Sequence, residues 1–304
     1  MGSGIPRLVL TTSLVVAVAL ALALGVPARS ASSAPARWIV FAATLPGQHT
    51  NQLFRIQSSG GGLKQLTHGT LSSIAPNFSL DGKQIVFARF GVGILTEKID
   101  GTGLRRLTTN GRDSLPAWSP DGTRIAFVRP DKNGWHIYVM SSSSGTPQRL
   151  PKAPPSGRPS WTASGLLIPS GGDLLRIDVT TGHVQKYYGA TIDVIWGLAT
   201  VAVSPDASTI TYAGARNVDP GDTECGEAPC ERFALYVENV IKGKQPKLLT
   251  KDAAPATFSP DGKQVVFVAK NALVVWTLAN RKTRVISTGK AFPSGAAPPA
   301  WQPR

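Results

Sequence analysis

The apolar residues of this chain fall in short unbroken runs, each closed by a turn signal, and the runs return at a near-regular step. One set reads Ile85-Val-Phe-Ala88, Ile125-Ala-Phe-Val128, Leu166-Leu-Ile168, Ile210-Thr-Tyr212 and Val265-Val-Phe-Val268. A second set follows: Gly93-Ile-Leu95, Ile137-Tyr-Val-Met140, Leu174-Leu-Arg-Ile177, Leu235-Tyr-Val237 and Leu273-Val-Val-Trp276. Runs that are short, β-branched and bounded by turns predict buried strands. Closing pairs such as Leu66-Thr67, Leu107-Thr108, Leu249-Thr250 and Ile286-Ser287 add a fourth strand to each unit, after one that precedes the first set.

That preceding strand carries a phrase repeated with erosion. It reads Pro76-Asn-Phe-Ser-Leu-Asp-Gly82, Pro116-Ala-Trp-Ser-Pro-Asp-Gly122, Pro159-Ser-Trp-Thr-Ala-Ser-Gly165, Ala202-Val-Ser-Pro-Asp206, and Pro255-Ala-Thr-Phe-Ser-Pro-Asp-Gly262. Pro299-Ala-Trp301 begins a sixth copy. Four strands in a repeat of roughly 40–45 residues describe a propeller blade. The chain is therefore expected to be all-β, a six-bladed β-propeller of four-stranded antiparallel blades. Trp38-Ile-Val-Phe41 lacks a first strand and Pro299-Ala-Trp301 lacks a second, so the N- and C-terminal strands are expected to pair within one blade and close the ring. Asp81, Gly82, Asp121, Gly122, Asp206, Asp261 and Gly262 are read as structural turn residues, with Asp capping the turn and Gly taking the left-handed conformation.

The phrase resembles the TolB-type six-bladed propeller repeat, and Pro116 to Met140 matches that pattern nearly position for position. The resemblance covers about 37–304. It implies the fold far more than the function, because the family includes envelope adaptors, propeller halves of serine peptidases and some polysaccharide lyases. The envelope adaptor also carries a globular domain ahead of its propeller, whereas a short segment precedes the repeats here.

Arg7, the apolar stretch Leu8 to Val26 and the small-residue site Val26-Pro-Ala28 make 1–28 a signal peptide or a retained membrane anchor. No Cys stands directly after the apolar stretch, which argues against lipidation. Residues 29–36 form a Ser/Ala/Pro linker. An exported chain turns Cys225 and Cys230 into an expected disulfide. They sit in an insertion at 214–232 that lengthens the step from Val203 to Phe258. Expected localisation is periplasmic, extracellular or the outer face of the cytoplasmic membrane. Lys and Arg total 32 against 18 Asp and Glu, a net charge of +14. In an exported protein this points to an envelope protein or anionic cell-surface polymer rather than nucleic acid. The insertion is locally acidic, with Asp219, Asp222, Glu224, Glu227 and Glu231.

Catalytic machinery is hard to find. Gly-x-Ser-x-Gly is absent, and the four histidines His49, His68, His136 and His183 lack ligand spacing. No cofactor, metal or catalytic residue is expected. In four-stranded blades the turns alternate between two faces. The Asp-Gly hairpins share one, the hairpin face. The loops between second and third strands share the other, the loop face, with the crossovers to the next blade. Most irregular sequence falls on the loop face, including Arg158, and binding is expected there. The candidates are His49, His68, Arg112, Asp113, Arg129, Asp131 and Trp135, with an aromatic crossover of Tyr187, Tyr188 and Trp196. The expected function is a non-catalytic, monomeric propeller scaffold in the cell envelope. The alternative is a glycan-binding or glycan-active propeller using the same face.

Overall fold

The computed structural model describes residues 37–151, 153, 157–163, 165–170, 173–189, 201–216, 232–241, 247–251, 256–295 and 297–303. The expectations for 1–28, the linker 29–36, Trp196 and the Cys225–Cys230 pair lie outside the described residues.

Six antiparallel sheets make up the described chain. The second strand of a blade is covered by a neighbouring blade on each side, so it reads as a continuous apolar run. Gln84–Arg89, Gly165–Ser170 and Gln264–Ala269 each bury their four central residues. Five apolar clusters tie the blades in sequence. Phe87 and Phe127 share one across blades one to three, and Leu166 sits in another between three and four. Tyr212 lies between four and five, and Phe267 between five and six. Phe41 and Val266 then meet in the cluster that joins blade six to blade one.

In blade one the last strand, Ala300–Trp301, pairs antiparallel with the first, Trp38–Thr44, placing Trp301 opposite Ile39. Gln302 locks the junction: its amide N–H donates to the Trp38 carbonyl (2.9 Å) and its side-chain Nε2 to the Gly82 carbonyl of blade two (3.0 Å). Phe292–Pro293 adds a further short pairing to Trp38–Thr44.

Four of the repeat phrases build the same local device. In blade three the Ser119 hydroxyl donates to Asp121 Oδ1 (2.5 Å), which also accepts the Thr123 backbone N–H (3.0 Å). The Arg124 backbone N–H donates to Ser119 Oγ (2.9 Å). The same set recurs at Ser79–Asp81, Ser204–Asp206 and Ser259–Asp261. Blade two keeps the device although Leu80 stands where the others have proline, so Ser and Asp define the turn. The Ser119 hydroxyl, with the Thr123 groups, holds the Asp121 carboxyl down at about 2. Gly82, Gly122 and Gly262 adopt φ of 66°, 70° and 69°. Ala207 occupies the same place in blade five at φ 58°. The prolines earlier in the phrase follow a bulge. The register shifts between Ile74 and Asn77 and between Ser114 and Ala117, with Ala75 and Leu115 left-handed, so Pro76 and Pro116 sit where no ladder N–H is required.

Two expectations are corrected. The fourth strands of the first blades are Lys64–Gln65 and Arg105–Arg106, just ahead of the Leu-Thr pairs. Leu66 and Leu107 instead turn inward, their N–H groups bonding Leu53 and Ile94. Tyr187 and Tyr188 are not in a crossover. They lie in Val184–Gly189, the fourth strand of blade four, because a strand needs apolar contact with the next blade.

Candidate functional site

The loop face of blades one to three is built on two charged anchors. The first joins the crossover into blade three to that blade's second strand. Arg129 Nε donates to Asp113 Oδ1 (2.6 Å) and Nη2 to Oδ2 (2.8 Å), a bidentate pair. The Arg129 guanidinium lies 4.7 Å over the Tyr138 ring and 5.5 Å from that of Phe127. The Asp113 hydrogen bonds raise the Arg129 pKa above its ordinary value. The Asp113 side chain is wholly buried, so it holds the loop and does not itself meet a partner. Its neighbour Arg112 is exposed.

The second anchor stiffens the hairpin at Lys132-Asn133. His136 Nε2 lies 3.0 Å from Asp131 Oδ1, and Arg149 Nη2 lies 3.0 Å from His136 Nδ1. Arg149 Nη2 also lies 3.4 Å from His136 Nε2, so the guanidinium sits against the imidazole ring. The Asn133 backbone N–H, with His136 and Arg149, holds the Asp131 carboxyl below its ordinary range. His136 is buried, whereas Trp135, one residue earlier on the strand, points the other way and is 52% exposed.

Other large apolar residues crowd the same face. Phe90, in the loop between the second and third strands of blade two, is 56% exposed. Its N–H bonds the Ser72 carbonyl beside exposed Leu71, and the Gly91 N–H bonds the Gly111 carbonyl beside Arg112. A Cβ on Gly111 would lie 2.6 Å from the Gly91 carbonyl carbon, so only glycine allows these loops to touch. Exposed Phe292 lies in the crossover from blade six, and His49 and His68 are exposed in blade one. Sequence reasoning missed Leu71, Phe90 and Arg149, since nothing in a repeat phrase separates an exposed apolar residue from a buried one.

Tyr187 and Tyr188 are joined to blade five instead. The Tyr187 hydroxyl donates to the Ala207 carbonyl (2.8 Å), and that of Tyr188 to the buried Glu238. Burial together with Glu238 raises the Tyr188 phenol well above its ordinary pKa. These tyrosines clamp adjacent blades.

Some of the basic excess also has structural partners. Arg55 Nη1 donates to the Ile99 carbonyl (2.8 Å) while stacking on Trp38 at 4.3 Å. Lys64 reaches the Asp100 carbonyl (2.7 Å), and Arg105 the Ser142 carbonyl (2.8 Å) of the following blade. Among the described residues no group of three His, Cys, Asp or Glu side chains could hold a metal ion. A cleft of about 630 Å³ opens on the hairpin face between blades three and four, where Trp161 is covered by the Arg124 guanidinium at 5.2 Å.

No protein-family model matches the chain. Over 82 residues it is 39% identical to the Tol-Pal system protein TolB of Zymomonas mobilis. That match spans 26% of this chain and 17% of the relative, so less than a fifth of the curated relative is represented. Among solved structures, TolB from Acinetobacter baumannii superposes with a TM-score of 0.70 at 18% identity, covering 88% of this chain and 67% of that one. The chain is a TolB-like six-bladed β-propeller. TolB-like architecture is shared beyond that group. A chain of a nidogen/laminin complex matches with a TM-score of 0.60 at 11% identity, covering 87% of this chain and 98% of its own. The fold alone therefore does not choose a partner.

Proposed function

We propose that this chain is an exported, non-catalytic scaffold that holds a protein of the cell envelope on its loop face. The observation that carries the reading is the set of exposed Leu71, Phe90, Trp135 and Phe292 on that face, beside the Asp113–Arg129 and Asp131–His136–Arg149 anchors that fix the loops of blade three. Large aromatics on rigid loops are the usual energetic anchors of protein interfaces. Exposed His49, His68, Arg112 and Lys132 beside them favour a partner surface that is apolar with an acidic rim. The relative's name, a Tol-Pal system protein, supports an envelope setting. Residues 1–28 serve as the export signal or tether, and Cys225 and Cys230 as the disulfide expected in an exported chain.

The test is site-specific photo-crosslinking in cells, with the probe at Trp135 or Phe90 and, as control, at Leu104 on the hairpin face. The expected result is a discrete protein adduct from the first two positions and none from the third. Trp135→Ala should weaken capture of that protein about 30-fold, the effect of roughly 2 kcal/mol at an interface anchor. Equal labelling from all three positions, or an adduct to polysaccharide alone, would refute the protein-scaffold reading.

A further inference from the structure

The inner strands of the six blades surround a central channel, and this channel contains a buried charge without an answer. A cavity of about 270 Å³ lies there, lined by Trp118, Trp161, Val203, Phe258 and Trp301 and, from the crossover into blade four, by Arg158. It extends to Pro205 and Pro260, the turn prolines of the hairpin face. Arg158 is held between Gly157, whose N–H bonds the Pro169 carbonyl (3.1 Å), and Pro159. Arg158 as a whole is only 6% exposed. It reaches across to blade two, where Nη2 donates to the Pro76 carbonyl (3.1 Å), while Nη1 has no partner.

Among the described residues no carboxylate pairs with Arg158, and none lines the cavity. Burial alone pushes the guanidinium down to about 10. It remains fully protonated near neutral pH. Three tryptophans that line the cavity add unsatisfied groups of the same polarity: the indole N–H groups of Trp118, Trp161 and Trp301 are all buried without an acceptor behind that lining. A wall whose unsatisfied groups are all donors, around an uncompensated cation, is the complement of an anion. The volume admits a small oxyanion with a few waters.

We propose that the central channel is an oxyanion site, taking a carboxylate or phosphate group whose counter-charge is Arg158. The group is either a free small anion or the terminal carboxylate of a peptide that enters the channel. This site is independent of the loop-face scaffold, and either can fail alone.

The test is a thermal-denaturation titration of the full chain with sodium acetate and sodium phosphate, against chloride at matched ionic strength. At a hundredfold excess over Kd the midpoint should rise by about 5–10 °C. Arg158→Met should reduce that rise to below about 1 °C. A merely structural Arg158 would instead lower the midpoint in every buffer and leave the anion response intact. Because the variant could fold poorly, the wild-type indole N–H resonances are followed in parallel, assigned with single Trp→Phe variants. Those of Trp118, Trp161 and Trp301 should move together on adding acetate or phosphate. A short peptide with a free C-terminus, compared with its amide, separates the two sources. Tighter binding of the free acid by tenfold or more assigns a chain terminus, and equal weak binding with a full acetate or phosphate response assigns a free ion. An unchanged wild-type midpoint with unmoved indole signals overturns the proposal, as does an anion response that survives in a folded Arg158→Met.

Discussion

Breaking the Asp113–Arg129 pair from one side should cost more than removing it whole. The carboxylate is wholly buried and the guanidinium keeps 22% of its side-chain exposure. Arg129→Met therefore strands a carboxylate with no water to solvate it, at about 3–5 kcal/mol. Asp113→Asn strands a guanidinium that still reaches solvent and keeps one acceptor, so its cost falls to about 2–3 kcal/mol. In the double variant no buried charge remains, and methionine retains much of the packing on Tyr138. The costs should then fall short of additivity by about 2 kcal/mol or more. Urea denaturation of the four proteins at neutral pH reads this directly as shifts in midpoint at constant slope. Strict additivity, or a cost below about 1 kcal/mol for Arg129→Met, would show that the pair is wet and does not anchor the loop. The Arg129→Met variant should also weaken loop-face capture although Asp113 touches no partner, because the crossover that carries Arg112 is released.

Two further outcomes follow from the turns and from a buried acid. Gly122 adopts φ 70° with open space around its Cα, so Gly122→Ala should cost about 1 kcal/mol from backbone strain alone. Ala207→Gly should stabilise by about 0.5–1 kcal/mol, since φ 58° is already strained for alanine. Thermal midpoints moving in the same direction for both would contradict the account. Glu97 is buried on the third strand of blade two, and desolvation, despite Arg89 nearby, raises its carboxyl to about 7. Its folded pKa exceeds the unfolded value near 4.5. The contribution of Glu97 to stability should therefore be greatest below about pH 4.5 and decline as pH rises to about 7, by up to about 3 kcal/mol. Glu97→Gln should remove that slope, and identical pH profiles for the two proteins would show that Glu97 ionises freely.

Much of the architecture is carried by residues that act locally. The Ser and Asp of four phrases bond to one another within a few residues, and an apolar run covered on both faces needs no partner identity to become a second strand. That is why blade number, strand order within blades and the hairpin turns are legible from the chain alone, and why Trp38 and Trp301 announce a shared blade. Strand bounds were less legible. The Leu-Thr pairs sit beyond the fourth strands, and the tyrosines of blade four lie inside one, because inter-blade packing sets those limits.

What only the tertiary structure decided is which charges meet and which apolar residues stay outside. Asp113 and Arg129 both read as loop-face candidates, yet their pairing buries one and frees Arg112 beside it. His136 reads like exposed His49 and His68, but Asp131 and Arg149 enclose it. Arg158 sits in a crossover with nothing in its neighbours to mark it, and only closure of six blades around one axis places it in a channel walled by unpaired donors. Local turns follow from bonds between residues a few positions apart. A site on a propeller follows from side chains that different blades bring to one axis or one face, and no sequence spacing encodes that convergence.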